Sequence, residues 1–345
     1  MPTKGVLVRF GLRQSIRCLA TALAVSAGVL LVVVRNAAAA ESGAERAPTF
    51  VTITGDNDFF AGHDHHYTNG LQFAMSADRA RLPAFVRALP PLRGASDPHI
   101  TVSIGQRIYT PSDKARSDPD PTDRPYGGWL YALADIRVRN GSAVDSIQAS
   151  IGVVGPAALA RQTQNTYHSL IGADKARGWH AQLDDEPALL VGYERAWPGI
   201  ATKNVGGYTA DVTPKVGATV GTVYTYANTG AVLRFGRNLP DDFPVTDISL
   251  GPPRDGYRPA GSGFGWYGWV GTDLRAVAWN TFLDGNLSGD GPRVKRKPFG
   301  VDLQAGVAVA WNQSRLGFTV VRRSKEFTAQ TGADTFGQLT YSFAL

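Results

Sequence analysis

The feature that most limits the fold of this chain is strict alternation of apolar and polar residues, repeated along most of its length. In residues 301–312, "VDLQAGVAVAWN", Val301, Leu303, Val307, Val309 and Trp311 share one parity, while Asp302, Gln304 and Asn312 share the other. Residues 338–345, "QLTYSFAL", set Leu339, Tyr341, Phe343 and Leu345 against Gln338, Thr340 and Ser342. The same pattern holds for Leu71, Phe73 and Met75, and for Ile147, Ile151 and Val153. Period two places successive side chains on opposite faces of a strand, so these segments are strands with one apolar face.

About twelve such segments are expected, near 49–58, 67–76, 99–109, 129–139, 145–154, 187–197, 209–219, 220–226, 230–238, 264–283, 299–312 and 315–345. The last is long enough for a hairpin, and the division of 209–226 is open. Several reach the ~9–11 residues with which a tilted strand crosses a bilayer. A soluble sandwich also alternates. Two features favour a membrane barrel: the polar parity reads as Gly, Ala, Ser, Gln and Asp rather than long charges, and the chain closes on an aromatic, alternating strand. Trp129, Trp197, Trp266, Trp269, Trp279 and Trp311 fall within or beside strands, where an aromatic girdle belongs. The expected fold class is all-β, a transmembrane antiparallel β-barrel of about 12 strands with a short helix at its site.

The first forty residues read differently. Lys4, Arg9, Arg13 and Arg17 precede an apolar run from Leu19 to Val34 and then four alanines, 37–40, the pattern of a cleaved signal peptide. Residues 1–40 are thus expected to be a signal and 41–345 the barrel. This segment holds five of the Lys/Arg and none of the acids, so a net charge of +6 falls to +1 without it. A basic surface for nucleic acid therefore loses its support. The one cysteine, Cys18, lies in the same segment, which excludes disulfides and thiolate chemistry from the remainder.

One stretch breaks the alternation. Residues 155–172, "GPAALARQTQNTYHSLIG", have Pro156 near a helix start, good helix formers after it, and Gly172 where a C′ residue belongs. Helical spacing puts Arg161, Gln164, His168 and Ile171 on one face. A second dense stretch, 56–70, "DNDFFAGHDHHYTNG", holds His63, His65 and His66. Their spacing with Gly62 and Asp64 suits a polar turn better than a zinc site.

In order and spacing, "DNDFF", "YTNG", "GQRIYTP", "DRPYGGWLY", "VGPAALARQTQNTYHSLIGADKARGW" and "EPALLVGYER" resemble the outer-membrane lipid A 3′-O-deacylases, the LpxR family. The resemblance covers most of residues 50–200 and, more weakly, the later strands. It implies a twelve-stranded barrel of the bacterial outer membrane and a Ca²⁺-dependent esterase. The reaction would remove the 3′-linked acyloxyacyl chain from lipid A in the outer leaflet. By the same resemblance Asn57 and Asp58 match the family's Asn-Asp pair, Thr68 its Tyr-Thr-X-Gly turn, and Gln164 with His168 its Gln-X-X-X-His helix. Asp174 matches an acid six residues after the histidine. Asn57, Asp58 and Asp174 become the expected calcium ligands, with no organic cofactor.

Ester hydrolysis needs a nucleophile, a proton acceptor and a partner for the oxyanion. An imidazole, titrating near ~6.5, can take a proton from water and return it to the leaving alkoxide. A hard cation on oxygen ligands can polarise the carbonyl. Water activated by His168 is preferred to Thr68 as nucleophile, because a threonine nucleophile needs its own adjacent base. No Gly-X-Ser-X-Gly elbow occurs, nor the His-X-Ser-Asn of an outer-membrane phospholipase. Parity places Asn57 with Val51 and Ile53 on the face that meets lipid, with helix 155–172 as a possible cover. Lys114 and Arg116, in the loop "TPSDKARSDPDPTDRPY", are expected to meet lipid A phosphates. The alternatives are a non-catalytic pore or structural barrel, and a barrel acting on glycerophospholipid. The oligomeric state is left open.

Overall fold

The computed structural model describes residues 49–57, 66–78, 96–172, 174–240, 263–289 and 291–345. The signal segment 1–40, Asp58, His63 and His65 lie outside them, and of His66 and Thr68 only the backbone is described. The strands are β1 (Thr49–Asn57), β2 (His66–Asp78), β3 (Ser96–Thr110), β4 (Gly127–Asn140), β5 (Ala143–Val154), β6 (Glu186–Ala196), β7 (Ala201–Val205), β8 (Tyr208–Gly221), β9 (Tyr224–Arg237), β10 (Gly265–Asn280), β11 (Phe299–Trp311), β12 (Ser314–Arg323) and β13 (Asp334–Ala344). All neighbours pair antiparallel. β1 pairs with both β2 and β13, and β6 pairs with β8, so the sheet closes on itself.

The barrel has twelve walls rather than thirteen. β6 and β7 pair successively with the same strand, β8, at Ala196↔Lys215 and Ala201↔Val212. They are one strand interrupted at Pro198, which has no N–H to give the ladder. The expected count of twelve holds because two differences cancel. Segments 209–219, 220–226 and 230–238 are only two strands, β8 and β9, whereas 315–345 is the hairpin β12–β13.

Parity sets the two faces. Outward positions are apolar and exposed, among them Leu71, Phe73, Ile104, Val191, Leu303 and Val307. Among the described residues no helix is long and apolar enough to cross a membrane; the strands carry the apolar belt. Inward positions depart from the expected small and uncharged lining. Asp302 accepts from Arg275 at 2.8 and 2.5 Å and from Arg323 at 2.7 Å. Lys215 lies 3.3 Å from Glu194 and 3.4 Å from Asp273, and Arg234 meets Asp211 at 2.6 Å. Buried charge is tolerable only when paired, and closure of the barrel brings distant strands together to pair it. Trp129 and Trp269 also face inward and are buried, so they are no part of a girdle, whereas Trp266 faces outward at 37% exposure.

At the end of the barrel where β3 finishes and β4 starts, the lumen is closed by an aromatic plug. The short helix α2 (Thr281–Asp284) inserts Phe282, whose ring stacks on Tyr109 at 4.0 Å. The hydroxyls of Tyr109 and Tyr224 bond at 2.7 Å. Arg124 lies over the Tyr109 ring at 5.4 Å and donates to Glu326 at 2.5 Å.

Candidate functional site

The plugged end also carries the long β5–β6 connection, which folds outside the barrel. Val154 ends β5, a 3₁₀ turn covers Pro156–Ala158, and helix α1 runs Ala160–Ile171. Gly155 opens this turn at φ 105, and a Cβ there would lie 2.5 Å from the Asp184 carbonyl. Leu159, at φ 60, separates the two helical pieces. Gly172 closes α1 in the left-handed region, its N–H bonded to the His168 carbonyl, as the sequence implied.

The helix is fixed to the outer wall by small residues. Gly128 faces outward on β4, and a Cβ on it would run into the Cβ of Ala160 and reach 3.2 Å from that of Ala158. Gln106, outward on β3, donates to the Ala158 carbonyl at 2.5 Å. Beside this seat Ile108, Tyr126, Ala160, Ala176 and Trp179 form a buried cluster. Tyr126 packs on Trp179 with ring centroids 4.8 Å apart. Burial pushes the Tyr126 phenol up to about 12, so it stays neutral.

Buried residues on α1 recur every four: Ala160, Gln164 and His168. Arg161, expected on that face, is exposed instead, because the buried stripe is one residue wide. The chain after Gly172 folds back along this stripe and is tied to it by three bonds. The His168 ring Nδ1 donates to the Asp174 carbonyl at 2.5 Å. Asn165 Oδ1 accepts from the Ala176 N–H at 3.1 Å, and Gln164 Oε1 accepts from Trp179 Nε1 at 2.8 Å. A carbonyl can only accept, so Nδ1 carries the proton, and in the neutral ring Nε2 keeps its lone pair. Gln164 Nε2 is buried and finds no acceptor among the described residues.

The remaining candidates lie on the adjoining wall. Asn57 ends β1 on the outward parity, half-buried, as the alternation implied. It pairs with Asn69, which pairs with Ile108, which pairs with Gly128, so one lateral row leads from Asn57 to the seat of α1. The β2–β3 register shifts between Tyr67 and Asn69, which makes Thr68 a bulged residue. A bulge re-aims a side chain next to a site. The Asp174 side chain is exposed, and its carbonyl makes the contact to His168.

Lys114 is half-buried, and its carbonyl accepts from the Arg177 N–H. Arg116 is exposed, donates to the Asp118 carbonyl at 3.0 Å and faces Asp120 at 3.8 Å. Their loop therefore packs against the segment that holds α1, while Arg124 turns into the lumen. Trp179, Gln106 and Gly128 were not singled out from sequence; a tryptophan beside Gly178 in a polar connection was the available signal.

Among the described residues no group of three His, Cys, Asp or Glu is arranged to hold a metal. The donors near Asn57 are amide and carbonyl oxygens, the chemistry of a hard cation rather than of zinc.

A family model described as "Outer membrane protein LpxR" matches residues 23–345. None of the curated proteins compared with the sequence matches it significantly. Among solved structures, LpxR from Salmonella typhimurium is similar at TM-score 0.73 and 20% identity, covering 86% of this chain and 100% of that one. The β domain of the Bordetella autotransporter BrkA follows at TM-score 0.44 and 9% identity, covering 87% of this chain and 100% of that one.

Proposed function

Because this chain belongs to the LpxR family of bacterial outer-membrane proteins, we propose that it is a lipid A 3′-O-deacylase, hydrolysing the ester of the acyloxyacyl chain in the outer leaflet. The observation that supports this reading best is the placement of a buried histidine outside the barrel. His168 sits on a helix clamped to the lipid-facing wall, with its Nδ1–H held by the Asp174 carbonyl. A conducting pore has no use for such a group there, and paired charges fill the lumen.

In this reading His168 Nε2 takes a proton from water as that water attacks the ester carbonyl. The imidazolium, steadied by the Asp174 carbonyl, then returns the proton to the leaving alkoxide. Gln164 orients the helix face through Trp179, and its Nε2–H is a donor for the substrate. Asn57 and Asp58, with Asp174 as a further oxygen donor, are the residues that would hold Ca²⁺, which when bound supplies positive charge for the oxyanion. Lys114 and Arg116 would attract the phosphates of the glucosamine backbone. Thr68 is read as a substrate-positioning hydroxyl rather than the nucleophile.

The test is purified barrel in detergent, mixed separately with lipid A and with glycerophospholipid. Loss of a mass equal to one acyloxyacyl chain, from lipid A only, is the expected result. Release of fatty acid from glycerophospholipid alone would replace this reading with a phospholipase, and no release from either would leave a non-catalytic barrel.

A further inference from the structure

The outward rungs of β13, β1 and β2 form a stepped wall beneath the site. Asn57 stands between Gly337 and Asn69. The next rung sets Gly55 between Leu339 and Leu71, and the one after sets Ile53 between Tyr341 and Phe73. Leu71 and Leu339 are 43% and 44% exposed, so they stand out as shoulders on either side of Gly55. A Cβ at Gly55 would meet nothing within 4 Å. Glycines 152 and 221 differ, since there a Cβ would strike neighbouring backbone. Space, not crowding, is what Gly55 provides: a notch one residue wide, with apolar shoulders, in a wall that faces lipid.

The notch opens along the strand toward Asn57, two residues or roughly 7 Å away. A depression in the apolar belt does not hold water, because its shoulders offer no hydrogen-bond partner. A polymethylene chain fits such a slot, with contact on three sides instead of one. We propose that the Gly55 notch seats an acyl chain of the lipid substrate and leads its ester to the polar rung at Asn57. This rests on the deacylase reading and adds to it the path by which the chain is held. Orientation of a flexible chain before reaction is worth rate as well as affinity, since a poorly placed ester rarely meets the base.

The test is a series at one position, Gly55→Ala, Gly55→Val and Gly55→Leu, made in the full-length chain. A matching control is Gly268→Leu, at an outward glycine of β10 whose Cβ would meet only the Gly306 carbonyl oxygen at 3.6 Å. Heat-dependent gel mobility reports that each barrel has closed. Acyloxyacyl release from lipid A in mixed micelles is followed by mass spectrometry at several surface concentrations. Efficiency is expected to fall stepwise with side-chain volume and by about tenfold at Gly55→Leu, the equivalent of two methylenes losing their seat. The loss should appear chiefly as a higher half-saturating surface concentration, with Gly268→Leu unchanged.

Wild-type efficiency at Gly55→Leu overturns the proposal, and so does a loss confined to turnover with half-saturation unmoved. The wild type is assayed first. If it releases no chain from lipid A, the deacylase reading fails and the notch proposal fails with it. An active wild type with a neutral Gly55 series sinks the notch alone.

Discussion

Gly128→Ala adds one methyl group to the outer wall where α1 rests. The new Cβ would overlap the Ala160 Cβ and lie 3.2 Å from that of Ala158. Carbon pairs settle near 3.5–4.0 Å, so the two surfaces must part by about 1 Å. The barrel wall is fixed by ladders to β3 and β5, whereas α1 is held by side-chain contacts and one connection, so the helix moves. Overpacking of this kind costs about 1–3 kcal/mol if nothing yields, which favours the shift. Displacement of a catalytic group by about 1 Å can lower the rate ~10²-fold, or about 2.7 kcal/mol in the barrier. Gly128→Ala is therefore expected to keep its heat-dependent gel shift and its β-dominated circular dichroism while deacylation falls about a hundredfold. Ala160→Gly removes the opposing methyl. Combined with Gly128→Ala it should restore most of the activity, which a double-mutant cycle reads as coupling between the two sites. Full activity in Gly128→Ala, or no rescue by Ala160→Gly, would refute the view that this seat positions His168.

His168→Ala should leave a closed barrel and lose ~10²–10⁴-fold of the deacylation rate, while Thr68→Val retains measurable turnover; a covalent acyl adduct on Thr68, seen by mass spectrometry, would overturn the water mechanism. Chelation of calcium should abolish deacylation, and Asp58→Asn should raise the calcium needed for half-activity; an undiminished rate in excess chelator would remove the metal from the scheme. Burial pushes the Glu326 carboxyl up, but the guanidinium groups of Arg124, Arg323 and Arg275 outweigh it and hold the carboxyl below the usual glutamate value. Its contribution to stability is therefore present above the ordinary glutamate pKa of ~4.3 and lost as pH falls through the lower folded value. Acid should destabilise the plugged end of the wild type, and Glu326→Gln, weaker throughout, should show a flatter thermal-melt profile between neutral and acid pH.

Alternation is a local property, so its consequences were determined by the sequence alone. They are the strand class, the faces that meet lipid, the outward position of Asn57, and the hairpin at the C-terminal end. The break at 155–172, with Pro156 and Gly172 at its ends, was legible for the same reason, since caps and breakers act within a few residues. Which residues meet across the barrel is not local. Asp302 finds Arg275 and Arg323 only because closure sets β10, β11 and β12 side by side, so an apparently small and neutral lining turned out to be a charged one. Trp129 and Trp269 look alike in sequence to Trp266, yet they face inward because their strands place them on the other parity. The clamp on His168 was hidden for a further reason. It is made by the carbonyl of Asp174, a backbone atom that every residue possesses, and by a methyl-sized gap at Gly128 that exists only once α1 has been laid against the wall. Side-chain identity names the chemistry available to a chain, but orientation of that chemistry depends on backbone groups and empty space, which tertiary packing alone brings into place.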